Sequence, residues 1–268
     1  PMKGDKTSLD YYKQQLQLKV LDAMHEKLGV DTSEEALRQA VAEFNELCDV
    51  MTEIGSFRKL ENPPITGYEF HVMQLVSEVC PHYLILPYLK ETLEELKTRE
   101  PEPQFPFRAR VVVAGSEIDD PDFTKLLESC GAMVVADRYC FGSFPGRERI
   151  EIAEGETAFD AICRHYQHWN QCARFMSGDK IDQRHTEIRR LVDEFHADGV
   201  IYESMKFCEF WSYEKVLASH VLQNEMGVPC CTIEKEYALG SVGQLRTRFQ
   251  AFVESLEIKH IQAKEVSR

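Results

Sequence analysis

No CxxC pair occurs in this sequence, although it carries nine cysteines in 268 residues. Zinc ribbons and thioredoxin-like redox motifs are therefore unsupported. No G-x-G-x-x-G, P-loop, G-x-S-x-G or H-E-x-x-H stands anywhere. That removes the local signatures of dinucleotide binding, nucleotide hydrolysis, hydrolase elbows and zinc proteolysis. No run approaches the roughly 18 apolar residues a membrane span requires. The residues given open at Pro1 without the charged-then-apolar pattern of a signal peptide. Basic residues are outnumbered, 31 Lys and Arg against 45 Asp and Glu, for a net charge of −14. Such a chain is a poor binder of phosphate backbones, so neither nucleic acid nor a membrane is an expected partner. A phosphorylated small ligand, which needs only a few local Arg or Lys, remains compatible with it.

The cysteines that are present (48, 80, 130, 140, 163, 172, 208, 230 and 231) are odd in number and irregular in spacing. They read as free thiols in a reducing, cytoplasmic setting, most of them packed as small hydrophobes. Hydrophobic residues make up 43% of the chain, enough for a sizeable core.

Residues 1–105 read as a helical region. Leu9, Tyr12, Leu16, Val20, Met24 and Leu28 recur at three- and four-residue steps, and Gly29 ends the run. A capping box from Thr32 to Glu35 opens the next helix, whose stripe runs through Leu37, Val41, Phe44, Cys48 and Met51. Two further helices are expected near 67–79 and 87–98. The proline-rich "REPEPQFPFRAR", 99–110, reads as an extended connector.

Residues 106–268 change character. Short apolar runs at 109–116, 131–138, 198–204 and 228–234 alternate with helical segments at about 156–175, 182–196, 211–226 and 243–257. A further helix follows the first run, with Asp120 as N-cap and Pro121 at its first position. Uninterrupted apolar strands between helices imply an α/β fold: a parallel, four-stranded, Rossmann-like sheet with flanking helices, preceded by the helical region. Ligands of such sheets sit beyond the carboxyl ends of the strands.

Cys140 and Cys208 fall at that edge, after the second and third strands. A thiol at a helix N-terminus with Lys206 close by is a setting that favours the thiolate, the form that binds soft metals; a buried structural cysteine is the alternative. Cys140 lies in the loop "DRYCFGSFPGRER", where Arg138, Arg147 and Arg149 cluster, suited to a ligand phosphate or to a solvated loop. Cys172 is expected near the end of a helix as a packed thiol, and His165 with His168 reads as a solvated face more readily than a metal pair. Cys230 and Cys231 are strand neighbours, so they point to opposite faces and cannot chelate one ion together. Arg246 and Arg248 open the last helix, suited to structural pairing or to a ligand.

The segments "NPPITGYE", "GSEIDDPDFTKLLESCGAMVVADRYCFGSFPGRE", "ADGVIYESMKFCEFW" and "GQLRTRFQAFVESLE" occur in that order. Together they resemble the family of benzoyl-CoA reductases and 2-hydroxyacyl-CoA dehydratases over essentially the whole chain. "GSFPGRE" and "FVESLEIK" are more similar to the cluster-bearing subunits of ATP-dependent benzoyl-CoA reductase. The resemblance implies an iron–sulfur subunit of a low-potential radical acyl-CoA enzyme. Ring reduction of benzoyl-CoA to a cyclic diene is the implied reaction, with dehydration of a 2-hydroxyacyl-CoA to an enoyl-CoA as the alternative. A non-catalytic structural subunit is the reading from another class. The implied partners are a homologous second cluster subunit, an ATP-hydrolysing electron activator and an acyl-CoA. Cys208 matches the family's C-terminal ligand of a 4Fe-4S cluster. The other ligands are expected in an N-terminal α/β domain that would precede residue 1. Cys140 matches a recurrent cysteine and is expected to line the site, with Arg138 and Arg147 facing the coenzyme A phosphates. Glu209 stands where the family more often has Asp.

Overall fold

The structure, a computed structural model, describes residues 5–101, 106–143, 148–169, 171–238, 240 and 242–266. The chain begins with helices. α1 (Lys6–Leu16) runs through a π-helical turn into α2 (Asp22–Leu28), and the run stops at Gly29, whose φ of 66° is the left-handed value that favours glycine. α3 (Glu34–Ser56) starts one residue later than the expected capping box: Ser33, not Thr32, is the N-cap, and its hydroxyl accepts from the Ala36 N–H at 3.3 Å. Both hydroxyl residues suit the role, and the backbone geometry of the preceding turn selects between them. α4 (Gly67–Val79) carries the true capping box, Thr66 with Glu69.

α5 (His82–Leu96) begins five residues before the expected start and holds Pro87 inside it. Proline there removes one helical hydrogen bond, from the Tyr83 carbonyl. Tyr83 is exposed, so water can take that bond, while Ile85, Leu86, Leu89, Leu93 and Leu96 pack inward. Their partners are Leu47, Met51 and Ile54 of α3 and Phe70 of α4, which together form the core of the helical region.

The α/β part follows: β1 (Ala109–Gly115), α6 (Pro121–Ser129), β2 (Ala132–Arg138), α7 (Ala158–Trp169), α8 (Gly178–Glu194), β3 (Gly199–Met205), α9 (Glu209–His220), β4 (Cys230–Lys235) and α10 (Val242–Val266). The four strands are parallel in the order β2-β1-β3-β4. Asp120 caps α6 by accepting from the Asp122 N–H, with Pro121 at the first turn as expected.

Strand alternation sorts the sheet into two cores. One face sends Val111, Val113, Ile201 and Ile233 against Phe123 and Leu127 of α6 and Phe249, Val253 and Leu256 of α10. The other sends Val112, Ala114, Val200 and Tyr202 against Ile188 and Leu191 of α8 and Trp211 and Leu222 beyond β3. Cys231 packs on the first and Cys230 on the second, the opposite facing that strand geometry requires.

The helical region joins the sheet at β2. Gly67 lies so close that a Cβ there would stand 2.6 Å from the Val134 Cβ. The Glu128 carboxylate accepts from the Gly67, Tyr68 and Val134 N–H groups at 2.8, 3.1 and 3.2 Å, closing the start of α4 onto α6 and β2. Arg58 is buried against Asp137 at 3.4 Å and lies over the Phe70 ring at 3.6 Å. Residues 102–105 of the expected connector lie outside the described residues. Among the described residues, no helix is long and apolar enough to cross a membrane.

Candidate functional site

The carboxyl ends of the four strands come together at one edge. β1 ends at Gly115, where φ is 137° and a Cβ would stand 1.9 Å from the Glu203 carbonyl oxygen. Only glycine allows β1 and β3 to approach that closely. The next residue, Ser116, links the strands: its hydroxyl donates to Glu203 Oε2 at 2.7 Å and accepts from the Met205 N–H at 2.6 Å. Glu203 has no exposed surface, and burial pushes its carboxyl up to about 7 against the pull of the Ser116 hydrogen bond.

β3 then turns sharply. Phe207 takes a φ of 70° and is 97% exposed, and Cys208 follows as the N-cap of α9. The Cys208 N–H donates to the Met205 carbonyl, its carbonyl accepts from Ser212, and its side chain makes no capping hydrogen bond. The sulfur is thus placed at a half-buried helix N-terminus, where the first N–H groups favour negative charge. Lys206, read from sequence as a neighbour of this thiol, instead pairs with Glu236 at 2.7 Å.

Cys140 is fixed to the same edge from β2, its N–H donating to the Ser116 carbonyl at 2.9 Å. Burial pushes its thiol up to about 12; Cys172, Glu117 and Cys208 lie within electrostatic reach, and the Trp211 indole donates to it. Cys172 does not end a helix. α7 stops at Trp169, and Cys172 lies in the irregular segment before α8, half-buried on the same core patch as Cys140 and Cys208. Gln171, in that segment, accepts from Arg138 Nε at 3.1 Å. This convergence of three thiols was missed in the sequence: their spacings follow no ligand motif, and the fold alone joins them.

Arg138 is only 6% exposed, and its guanidinium also donates to the Ser143 carbonyl at 3.1 Å. It lines a cleft of about 220 Å³ with Arg58, Asp137, Glu187 and Arg190, so it faces carboxylates as well as cations. Arg147 lies outside the described residues. Arg149 pairs with Asp49. Arg246 donates to Ser129 Oγ, and Arg248 to the Thr232 carbonyl. His165 is buried against Phe44 and Tyr166, and burial holds it down at about 4. Among the described residues, no group of three His, Cys, Asp or Glu side chains could hold a metal ion.

α9 is held in place from below. The Glu214 carboxylate accepts from Arg184 at 2.7 Å and lies 3.0 Å from His185, both on α8. All three are almost fully buried, so the helix that presents Cys208 is locked to its neighbour by charge as well as packing.

Three relatives share this chain's sequence at a distance. A protein of Escherichia coli K12 named as a dehydratase subunit, YjiM, is 24% identical over 89% of this chain and 62% of its own length. The (R)-phenyllactyl-CoA dehydratase beta subunit of Clostridium sporogenes is 24% identical over 85% of this chain and 59% of its own. The lactoyl-CoA dehydratase subunit beta of Anaerotignum propionicum is 25% identical over 85% and 60%. The chain thus spans about three fifths of the length of these relatives. Residues 1–256 match the family described as 2-hydroxyglutaryl-CoA dehydratase, D-component, and the chain belongs to that family.

Proposed function

We propose that this chain forms part of one subunit of a heteromeric 2-hydroxyacyl-CoA dehydratase, in which Cys208 supplies a thiolate to an iron–sulfur cluster. Membership of the dehydratase family supports the reaction class, and the relatives named above are dehydratases or dehydratase subunits. Dehydration is on these grounds better supported than the ring reduction of benzoyl-CoA expected from the sequence. The single observation that carries the role of Cys208 is its place: a half-buried thiol without a capping bond, at a helix N-terminus on the ligand edge of a parallel sheet.

A bound cluster would supply single electrons at low potential to the thioester, chemistry that belongs to the cofactor. The chain's own residues do the rest. The Arg184–Glu214–His185 group keeps α9 in position, and the apolar patch around Cys140, Cys172 and Trp211 keeps water from the inner side of Cys208. Further ligands, a second subunit and an ATP-hydrolysing activator complete the proposal from outside this chain.

The test is anaerobic reconstitution of the assembled enzyme with and without Cys208→Ser. Enoyl-CoA should form from a 2-hydroxyacyl-CoA, and the variant should lose iron along with activity. Unchanged iron content in the variant would reduce Cys208 to a packed residue. Cyclic diene formation from benzoyl-CoA would restore ring reduction.

A further inference from the structure

Where α3, α4, α5 and α7 meet the loop after β2, a cleft of about 200 Å³ is walled by aromatic rings and one carboxylate. Phe44 of α3 neighbours both His82, the first residue of α5, and Tyr166 of α7, at ring-centroid separations of 6.3 and 6.5 Å. The two pairs are tilted, by 37° and 56°, so the rings do not stack flat but turn around the cleft that all three line. Gly142 closes the loop side. Its N–H donates to the Tyr139 carbonyl at 2.9 Å, and a Cβ there would stand 2.6 Å from Asp137 Oδ1, so this wall is fixed by the turn.

Glu78, near the end of α4, is the one carboxylate among the described residues lining the cleft, and none of them is Lys or Arg. It lies within electrostatic reach of the Tyr166 hydroxyl. Arg149 lies within electrostatic reach of Cys48, which also lines the cleft, but its guanidinium is held by Asp49. His165, edge-on to Phe44, is pushed down to about 4 by burial and adds no charge at neutral pH. The negative end of α4 and the positive end of α5 meet here and offset each other. With His82 neutral, Glu78 therefore sets the sign of the cleft.

The faces of aromatic rings carry the negative part of their quadrupole and attract a cation that has shed its water. An ammonium bearing methyl groups suits such a wall twice: the methyls pack on the rings, and the spread charge faces both the rings and the carboxylate. A small metal ion would lose its hydration with a single carboxylate to replace it. A neutral apolar ligand would make no use of Glu78. The volume suits a head group and not a drug-sized molecule.

We propose that this cleft binds a small methylated ammonium compound, with the rings of Phe44, His82 and Tyr166 as the cage and Glu78 as the counter-charge. Gly142 lies two residues after Cys140 in the chain, so the ligand sits beside the loop that carries that thiol. The inference stands on the cleft itself and does not require the dehydratase reading.

An NMR titration of the purified chain with choline tests it, at about pH 8, where an ordinary histidine is neutral. The control is 3,3-dimethylbutan-1-ol, which keeps the shape and hydroxyl of choline and lacks its charge. Choline should bind at a single site, and the neutral isostere roughly tenfold more weakly. Glu78→Gln should weaken choline binding by roughly the same factor and leave the isostere unaffected. Phe44→Leu should weaken choline as well, while Phe44→Tyr, which keeps the ring, should bind it as the parent does. Glu78 is exposed, so its variant will be folded. His82→Leu removes a ring from a half-exposed position and stands in for Phe44→Leu if that variant does not fold. Failure of choline to bind the unaltered chain, equal binding of the isostere, or parent-like affinity in Glu78→Gln or in the folded ring variant would overturn the proposal.

Discussion

Ser116 and Glu203 meet through a 2.7 Å hydrogen bond between hydroxyl and carboxylate, fully inside the protein and one strand apart. The same hydroxyl accepts from the Met205 N–H, so the ends of β1 and β3 are joined by side chain as well as by ladder. The second carboxylate oxygen, Oε1, has no partner among the described residues.

This arrangement makes stability depend on pH in a defined direction. Burial raises Glu203 from 4.5 to about 7. The folded state therefore binds the proton more tightly than the unfolded chain. The resulting contribution is complete below about pH 4.5, declines as pH rises, and is gone above about pH 7. Glu203→Gln removes it. The variant should be more stable than the parent at pH 8, on the order of 2–3 kcal/mol, with the gap closing toward pH 4.5. Urea midpoints measured across that range check this, and parallel curves for the two proteins would refute it.

Glu214 gives the opposite sign. Burial pushes its carboxyl up, but the hydrogen bonds from His185 and Arg184 outweigh burial and hold it below its ordinary value. Its contribution is present above the unfolded pKa and lost as pH falls. Glu214→Ala leaves Arg184 buried without its carboxylate and should cost about 3–5 kcal/mol at pH 7. The difference from the parent should shrink on acidification. Chemical denaturation at pH 7 and pH 4 measures both values.

Phe207 holds a left-handed φ of 70° while 97% of its surface is exposed. That conformation costs a residue bearing a Cβ roughly 1–2 kcal/mol, and asparagine tolerates it better. Phe207→Asn should therefore stabilise the isolated chain by about 0.5–1 kcal/mol, seen as a higher urea midpoint at an unchanged slope. A lower midpoint would mean that contacts of the ring, and not relief of strain, dominate at this turn.

Much of the architecture was legible because it is written in local patterns. Val111–Val113 and Val134–Val135 are short apolar runs that only a doubly covered strand accommodates, and Asp120-Pro121 announces its helix by capping chemistry. Local patterns also misled where two neighbours fit equally well. Thr32 and Ser33 are both competent caps, and Pro87 resembles a breaker until the inward stripe of α5 outweighs one lost bond.

The candidate site divides the same way. The strand-to-helix change after Met205 placed Cys208 at the ligand edge from sequence alone, because burial periodicity and the turn are both local. The turn of Arg138 inward onto Gln171 and the approach of Cys172 to Cys140 were decided only in three dimensions. Each depends on strand order and helix packing between residues far apart in the chain, and the identity of a side chain does not specify which distant partner will lie within reach of it.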